Sequence, residues 1–342
     1  MIAILLINYR TLAASIRCLS ALSSATPKDA RIWVLDNGSG SAELAQLREY
    51  AAQKSAGIDI LASERNLGFA GGMNLLLRAA LADQSVDQII MLNSDTEPQA
   101  GFIPAMRACV DADNRVEMVA AQLRSLETHC VDSLGITLYR STLASNRKEE
   151  NQILLGPSGG CALFTRGLLE DLLGAHGEWF DESFFCYAED TDLVLRARWL
   201  GYRAAYARDA VVYHAGSLSS GGPGNDFVLY HGIRNSLWWL IKDAPAGWLL
   251  RSTPWFLALH VGICLRHLRR GRGRVLWRLY RDAIKGIPAM RKKRAVISKM
   301  RRVPVAEFAR NVEPRFYEPD YMRRAWRDLW SPAEPDSRVE RR

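Results

Sequence analysis

Four side chains stand where their chemistry could be put to use. The stretch "MLNSDTEP" (91–98) sets Asp95 after an apolar run, with Asn93 two residues before it and Glu97 two after. A hard divalent cation carried by a diphosphate needs few protein oxygens, because phosphates and waters fill most of its shell. Asp95, helped by the amide of Asn93, could therefore form part of a Mg2+ or Mn2+ site that a ligand completes. An acidic turn after a strand is the plainer alternative, and Glu97, beside Pro98, reads as such a turn residue. "YAEDTDLVLRARWLGY" (187–202) gathers Glu189, Asp190 and Asp192 at the start of an amphipathic helix. Acids there act as caps, which is the reading for Asp192. Three of them behind the aromatic run "FFCY" exceed what capping requires. A carboxylate held against apolar walls gains proton affinity, as a general base needs. "VVYHAGS" then puts His214 at a strand end, within reach of a metal.

Two further motifs bear on ligand binding. "VLDNGS" places Asp36 at a strand end before an Asn-Gly turn. A carboxylate there can accept from the imide N–H of a uracil or thymine base, or simply close an Asx-turn. "NLGFAGGMN" supplies Asn66 and Gly68, Gly71 and Gly72 at a helix start, where free N–H groups and the helix dipole suit a phosphate.

The elements that must position these residues follow from the hydrophobic pattern. Strands are predicted at 3–8, 31–36, 58–63 and 87–95, alternating with helices at 11–24, 42–54, 66–81 and 101–112. Such alternation indicates a doubly wound, Rossmann-like α/β domain with a mostly parallel sheet flanked by helices. Ligands then sit at the carboxyl ends of the strands, where Asn8, Asp36, Asn66 and Asp95 all fall. Beyond 115 the pattern is less regular, with strands predicted at 116–122 and 153–156, a loop over 219–226 and a helix over 227–242. The expected organisation is a domain of residues 1–242, its halves meeting at 115/116, followed by a helical, basic region, 243–342.

Composition narrows the function classes. In 342 residues, 48% hydrophobic and 24% charged is ordinary for a soluble globular protein. Six cysteines with no CxxC pair argue against a disulfide framework or structural zinc and fit a reducing compartment. "MIAILLINYR" reads as a buried strand rather than a cleavable signal. The net charge of +8 is uneven: Arg266–Arg302 holds fifteen Lys or Arg against Asp282 alone. The apolar run 246–265 is interrupted by Arg251, Pro254 and His260. Its uncharged core of 14 residues falls short of the ~20 that span a bilayer. Leu276, Leu279, Tyr280, Ala283 and Ile287 share one helical face, and Arg274, Arg278, Arg281 and Lys285 another. The stretch 246–302 is therefore expected to dock on an anionic membrane surface, with a solvated basic face as the alternative. Nucleic acid is not an expected partner, since the aromatics cluster with apolar residues and no recognised module is present.

In order and spacing, "INYR", "VLDNGS", "NLGFAGGMN", "LNSDTEP", "GGCALFTR", "FFCYAEDTDLVLRARWLGY" and "VVYHAGS" resemble the inverting family 2 glycosyltransferases of GT-A fold, most closely a bacterial rhamnosyltransferase-like branch. The likeness covers about residues 2–240. It implies Asp190 as catalytic base, with Glu189 binding or orienting the acceptor. Asp36, Asn8 and Tyr9 would line the nucleobase pocket, and Asn66, Gly68, Gly71 and Gly72 the ribose and diphosphate. Asn93 would orient the donor, Asp95 and His214 would bind Mg2+ or Mn2+, and Gly159 and Gly160 would shape the sugar cleft. The implied partners are a nucleotide-diphosphate sugar, dTDP-L-rhamnose foremost, and a glycan or polyprenyl-linked saccharide acceptor. The expected location is the cytoplasm, peripheral on the inner face of the plasma membrane. Alternatives are a UDP-sugar donor (galactofuranose, glucose or N-acetylglucosamine) and a non-catalytic nucleotide-sugar-binding protein.

Overall fold

The computed structural model describes residues 1–318 except 28, 55, 56, 114 and 217–224, together with 323 and 327. Most of the loop expected at 219–226 therefore lies outside the described residues.

Continuous apolar runs make strands buried on both faces: β1 (Ile2–Asn8), β2 (Ala30–Asn37) and β4 (Gln88–Asn93), with β3 (Ile58–Ser63) a half-buried edge strand; α1 (Leu12–Ala25), α2 (Ser41–Ala52) and α3 (Gly68–Leu81) separate them. The four pair in parallel in the order β3-β2-β1-β4. Their register sets Asn8 beside Asp36, and Ile7 beside Asn93, so the polar strand ends form one rim as expected.

After the short β5 (Thr96–Pro98) and α4 (Phe102–Ala112) the sheet changes character. It continues with β6 (Val116–Ser125), β7 (Val131–Ser133), β10 (Cys161–Thr165) and β11 (Arg203–His214). β10 runs antiparallel to β4 and β6, and β11 antiparallel to β5, so the nine-stranded sheet is mixed. The parallel expectation holds for its first half. A second sheet joins β8 (Ile136–Tyr139), β9 (Ala144–Asn146) and β12 (Val312–Glu313). Residues 153–156 form no strand; only Gly156 bridges to Ile136. α5 (Arg166–His176), α6 (Glu189–Trp199) and α7 (Asp226–Asp243) cover one face of the large sheet with α3.

The C-terminal helices are part of this body. α8 (Ala246–Arg269) runs unbroken through Pro254 for 24 residues, long and apolar enough by length and composition to cross a membrane. In the fold, its Leu259 and Ile263 pack with Leu276 and Leu279 of α9 (Gly273–Met300) and Leu229 of α7. α9 sends Met290 and Ile297 into the main core, joined by Phe308 of α10 (Ala306–Arg310). The apolar face predicted for α9 is the one buried, with Arg274, Arg278, Arg281 and Lys285 exposed opposite.

Polar anchoring between these helices comes from a buried ion network. Lys242 of α7, 1% exposed, lies 2.6 Å from Asp192 of α6 and 2.9 Å from Asp181. Arg196 holds the other oxygen of Asp192, and Lys293 of α9 reaches Asp181 at 2.7 Å and Glu178 at 2.8 Å. Asp192 is thus not the helix cap expected from its position: Ala188 occupies that place, and Asp192 is a fully buried counter-ion. Burial alone would raise the Asp181 carboxyl, yet Lys242 and Lys293 hold it well below the usual carboxylate range.

A carboxylate depressed in this way contributes stability that is complete above its unfolded value and drains as pH falls toward its folded one. The melting temperature should therefore fall steadily on acidification below about pH 4, the ordinary aspartate range. Lys242→Met, which strands Asp181 and Asp192 in the interior, should cost about 3–5 kcal/mol. Urea unfolding checks both; a Lys242→Met protein of unchanged stability would show that the network contributes little.

Candidate active site

The strand ends open into a cavity of about 1170 Å3. Tyr9, Asn66, Gly68, Asn93, Asp95, Gly159, Gly160, Glu189, Asp190 and His214 all line it. Ten of the fourteen residues given a site role in the sequence are thus brought to one cavity. Asn8, Asp36, Gly71 and Gly72 are not.

Asp36 and Asn8 satisfy each other below the rim. The Asn8 amide donates to Asp36 Oδ1 at 2.9 Å, the Ser39 N–H donates to Oδ2, and both residues are buried. The neighbouring Asn37, which the sequence reading passed over as part of the turn, reaches the cavity instead. Its carbonyl oxygen caps the Leu67 N–H, and its amide donates to Asn66 and to the Gly68 carbonyl. Gly71 and Gly72 are packing positions: a side chain at Gly72 would strike Ile7 at 2.9 Å and Leu35 at 3.2 Å. The phosphate cradle expected at the start of α3 is also partly taken, because Asn66 accepts from the Gly68 N–H and the Phe185 carbonyl from the Ala70 N–H. Gly68 itself sits at φ +72°, where an added side chain would overlap the Phe185 carbonyl and ring.

Asp95 and His214 meet because β5 pairs with β11, placing Thr96 opposite His214. His214 Nε2 lies 3.3 Å from Asp95 Oδ1, and Nδ1 bonds Asp132 Oδ2 at 2.8 Å. Burial lowers the imidazole's proton affinity, but the two aspartates outweigh it and push its pKa up to about 9. Asp132 is a second acid on His214 that sequence reasoning missed, carried on the three-residue β7. Its bond to Nδ1 leaves Nε2 turned to Asp95, the carboxylate–histidine pairing that orients metal-ligating imidazoles. No group of three or more His, Cys, Asp or Glu suited to a cation occurs among the described residues. Two ligands with an outer carboxylate fit a Mg2+ or Mn2+ ion that shares its shell with a diphosphate. Glu97 lies off the site, 3.7 Å from Arg17.

Across the same cavity stand the acids of α6. Asp190, partly exposed, accepts from the Gly159 N–H at 2.9 Å through one oxygen and from the Thr191 N–H at 2.7 Å through the other. Gly160, next in the chain, accepts from the Asn93 N–H, so the two glycines tie Asp190 to the end of β4. Burial raises the Asp190 carboxyl despite these bonds. Glu189 is 6% exposed, and its Oε2 has no hydrogen-bond partner among the described residues. Burial first, and the neighbouring Asp190 second, push Glu189 well above the ordinary carboxyl range. The segment leading into α6 is strained: Phe185, Tyr187 and Ala188 all have φ between +65° and +71°, each costing on the order of 1–3 kcal/mol.

The architecture is an α/β fold of GT-A type. Residues 4–173, about half of the chain, match the family model described as Glycosyl transferase family 2. Among solved structures, the mannosyltransferase PcManGT from Pyrobaculum calidifontis, in complex with GDP-Man and Mn2+, is similar at 16% identity and TM-score 0.55, over 87% of this chain and 85% of that one. TarS 1-349 of S. aureus is similar at 17% identity and TM-score 0.52, over 90% and 91%. GalNAc-T7 with UDP, GalNAc and Mn2+ is similar at 14% identity and TM-score 0.56, over 71% of this chain but 48% of that one, so this chain spans about half its length. At these identities the likeness establishes the fold alone. No curated protein matches the sequence. Family match and fold together support a glycosyltransferase of family 2.

If Asp132 orients His214 toward a cation, Asp132→Asn should weaken Mn2+ affinity about 10- to 100-fold, measured calorimetrically with UDP or dTDP present. Without nucleotide the wild-type protein should bind Mn2+ only weakly. Tight Mn2+ binding by the nucleotide-free protein would contradict the two-ligand site.

Proposed function

We propose that this chain is an inverting glycosyltransferase moving L-rhamnose from dTDP-L-rhamnose to a hydroxyl of a bacterial cell-surface glycan or lipid-linked oligosaccharide. The observation that carries this reading is the placement of Asp190. Its carboxylate is fixed at both oxygens in the cavity wall, with raised proton affinity, and shares that cavity with Asp95 and His214.

In a single displacement the acceptor hydroxyl attacks the anomeric carbon opposite the departing diphosphate, through an oxocarbenium-like transition state. Asp190 takes the hydroxyl proton as the new C–O bond forms and the sugar–diphosphate bond breaks. Glu189, its proton affinity raised by burial, stands beside it and can hydrogen-bond an acceptor hydroxyl. Asn66, Asn93 and Tyr9 line the donor side, and Asp95 and His214 would hold the divalent ion. When bound, that ion supplies Lewis-acid stabilisation of charge on the leaving diphosphate, so no protein acid is required there.

Asp190→Asn should lower kcat about 100- to 10,000-fold while nucleotide binding persists; unchanged transfer would refute the role. An array of dTDP- and UDP-sugars identifies the donor. Turnover confined to UDP-galactofuranose, UDP-glucose or UDP-N-acetylglucosamine would replace the rhamnose assignment, and binding without any turnover would favour a non-catalytic nucleotide-sugar protein.

We further propose that the enzyme works on the cytoplasmic face of an anionic membrane. α8 exposes Leu250, Leu257, Val261, Leu265 and Leu268, and α9 exposes Trp277 (71%) and Ile284 beside its basic face. Apolar side chains flanked by cations suit the headgroup boundary. Cutting the chain near 245 would also remove Met290, Ile297 and Lys293 from the interior, so point changes are the cleaner test. The combined Leu257→Glu, Leu265→Glu and Trp277→Glu protein should keep its melting temperature and lose sedimentation with phosphatidylglycerol vesicles. Equal sedimentation of both proteins would contradict membrane docking.

A further inference from the structure

The strained segment before Asp190 is gripped from behind by a pair of residues on α7. The Asn235 amide, fully buried, donates to the carbonyls of Phe184 (2.9 Å), Cys186 (2.9 Å) and Tyr187 (2.7 Å). An amide nitrogen has two N–H donors, so these carbonyls share them, and the turn must curl about that one atom. The orientation of the amide is itself fixed. Arg234 donates to Asn235 Oδ1 through Nε at 2.9 Å and Nη2 at 2.8 Å, leaving only Nδ2 to face the segment. Arg234 Nη2 also reaches the Phe184 carbonyl at 3.1 Å, and its guanidinium lies over the Trp238 ring at 4.2 Å. From the other side, the Ala70 N–H of α3 holds the Phe185 carbonyl.

Three non-glycine residues at positive φ within four positions would not persist without such over-determination. The turn ends at Ala188, the residue before Glu189 and Asp190. Any relaxation of it moves the first turn of α6, on which both acids ride. Asn93 and His214 end β4 and β11, and Asp95 stands between β4 and β5, all outside the 184–188 turn.

We infer that Arg234 and Asn235 are positioning residues that hold the 184–188 turn in its strained conformation and so set the base and acceptor side of the site. They act through Asp190 and Glu189 and do not touch the reacting atoms. The kinetic part rests on the proposed glycosyl transfer; the conformational part stands without it.

The test uses the full-length chain with Asn235→Ala, the milder Arg234→Lys, and each combined with Ala188→Gly. Glycine adopts positive φ without the steric penalty that alanine meets. In Asn235→Ala, amide exchange should rise selectively over 185–190. Transfer kcat should fall on the order of 100-fold, the scale of losing a positioned base, while the KM for donor and the affinity for UDP or dTDP stay within about threefold. Ala188→Gly should return about five- to tenfold of the lost kcat, as expected from relieving one left-handed residue. Should Asn235→Ala fail to fold, Arg234→Lys is expected to show the same selective pattern at smaller amplitude. Exchange rising throughout the chain, kcat and nucleotide affinity lost together, or no rescue by glycine would overturn the inference. If the wild-type protein transfers no sugar, the functional reading fails, and selective exchange with its glycine rescue still decides the clamp.

Discussion

Lys242 brings a full positive charge into the interior, between Asp181 and Asp192, and the rest of the molecule is arranged around its neutralisation. A buried ammonium is tolerable only with counter-ions in direct contact, and these come from two places in the chain, Glu178 and Asp181 in the 178–184 segment and Asp192 on α6, while Lys293 of α9 adds a second cation on Glu178 and Asp181. Asp192 lies two residues from Asp190. The charge pairing that locks α6 against α7 is therefore also what fixes the rotation of the helix presenting the base. It explains why the basic C-terminal helices cannot be regarded as an appendage: α9 supplies both a counter-ion partner and core side chains.

On that frame the active site has two sides built by different means. The side holding Asp95 and His214 is a product of strand register. Parallel pairing lines up the ends of β1, β2 and β4, and the β5–β11 pair brings His214 to Asp95. The side holding Glu189 and Asp190 is a product of strain, a left-handed turn between a 3-10 segment and α6 whose carbonyls are held by α7. Gly159 and Gly160 join the two, one bonded to Asp190 and the other to Asn93.

How much of this was legible in the sequence depends on the range of the interactions. Strands β1 to β4 and their rim were readable because strands of a parallel sheet leave apolar runs ending in polar residues. Asp95 and His214 could be chosen because they stand at or just after strand ends, and Glu189 and Asp190 because they open an amphipathic helix. Asp132 could not, since β7 is three residues long and carries no periodic signal. The Asp36 carboxylate was read as facing a ligand, yet the register that sets it beside Asn8 also satisfies it internally. Gly71 and Gly72 were misread for a related reason: a glycine needed for helix–sheet contact looks the same in sequence as one needed for a phosphate. Asn235 was invisible because its partners are main-chain carbonyls 48 to 51 residues away. Lys242 closed a helix in the sequence pattern, and nothing local marks a lysine as buried.

In the proposed reaction one fixed carboxylate, Asp190, performs a single displacement in this cavity. Stereochemistry reports on that most directly. For whichever nucleotide sugar is consumed, proton NMR of the first-formed product should show the anomeric configuration opposite to that of the donor. A first-formed product retaining the donor's configuration would require a second displacement or a different course, and would contradict the account.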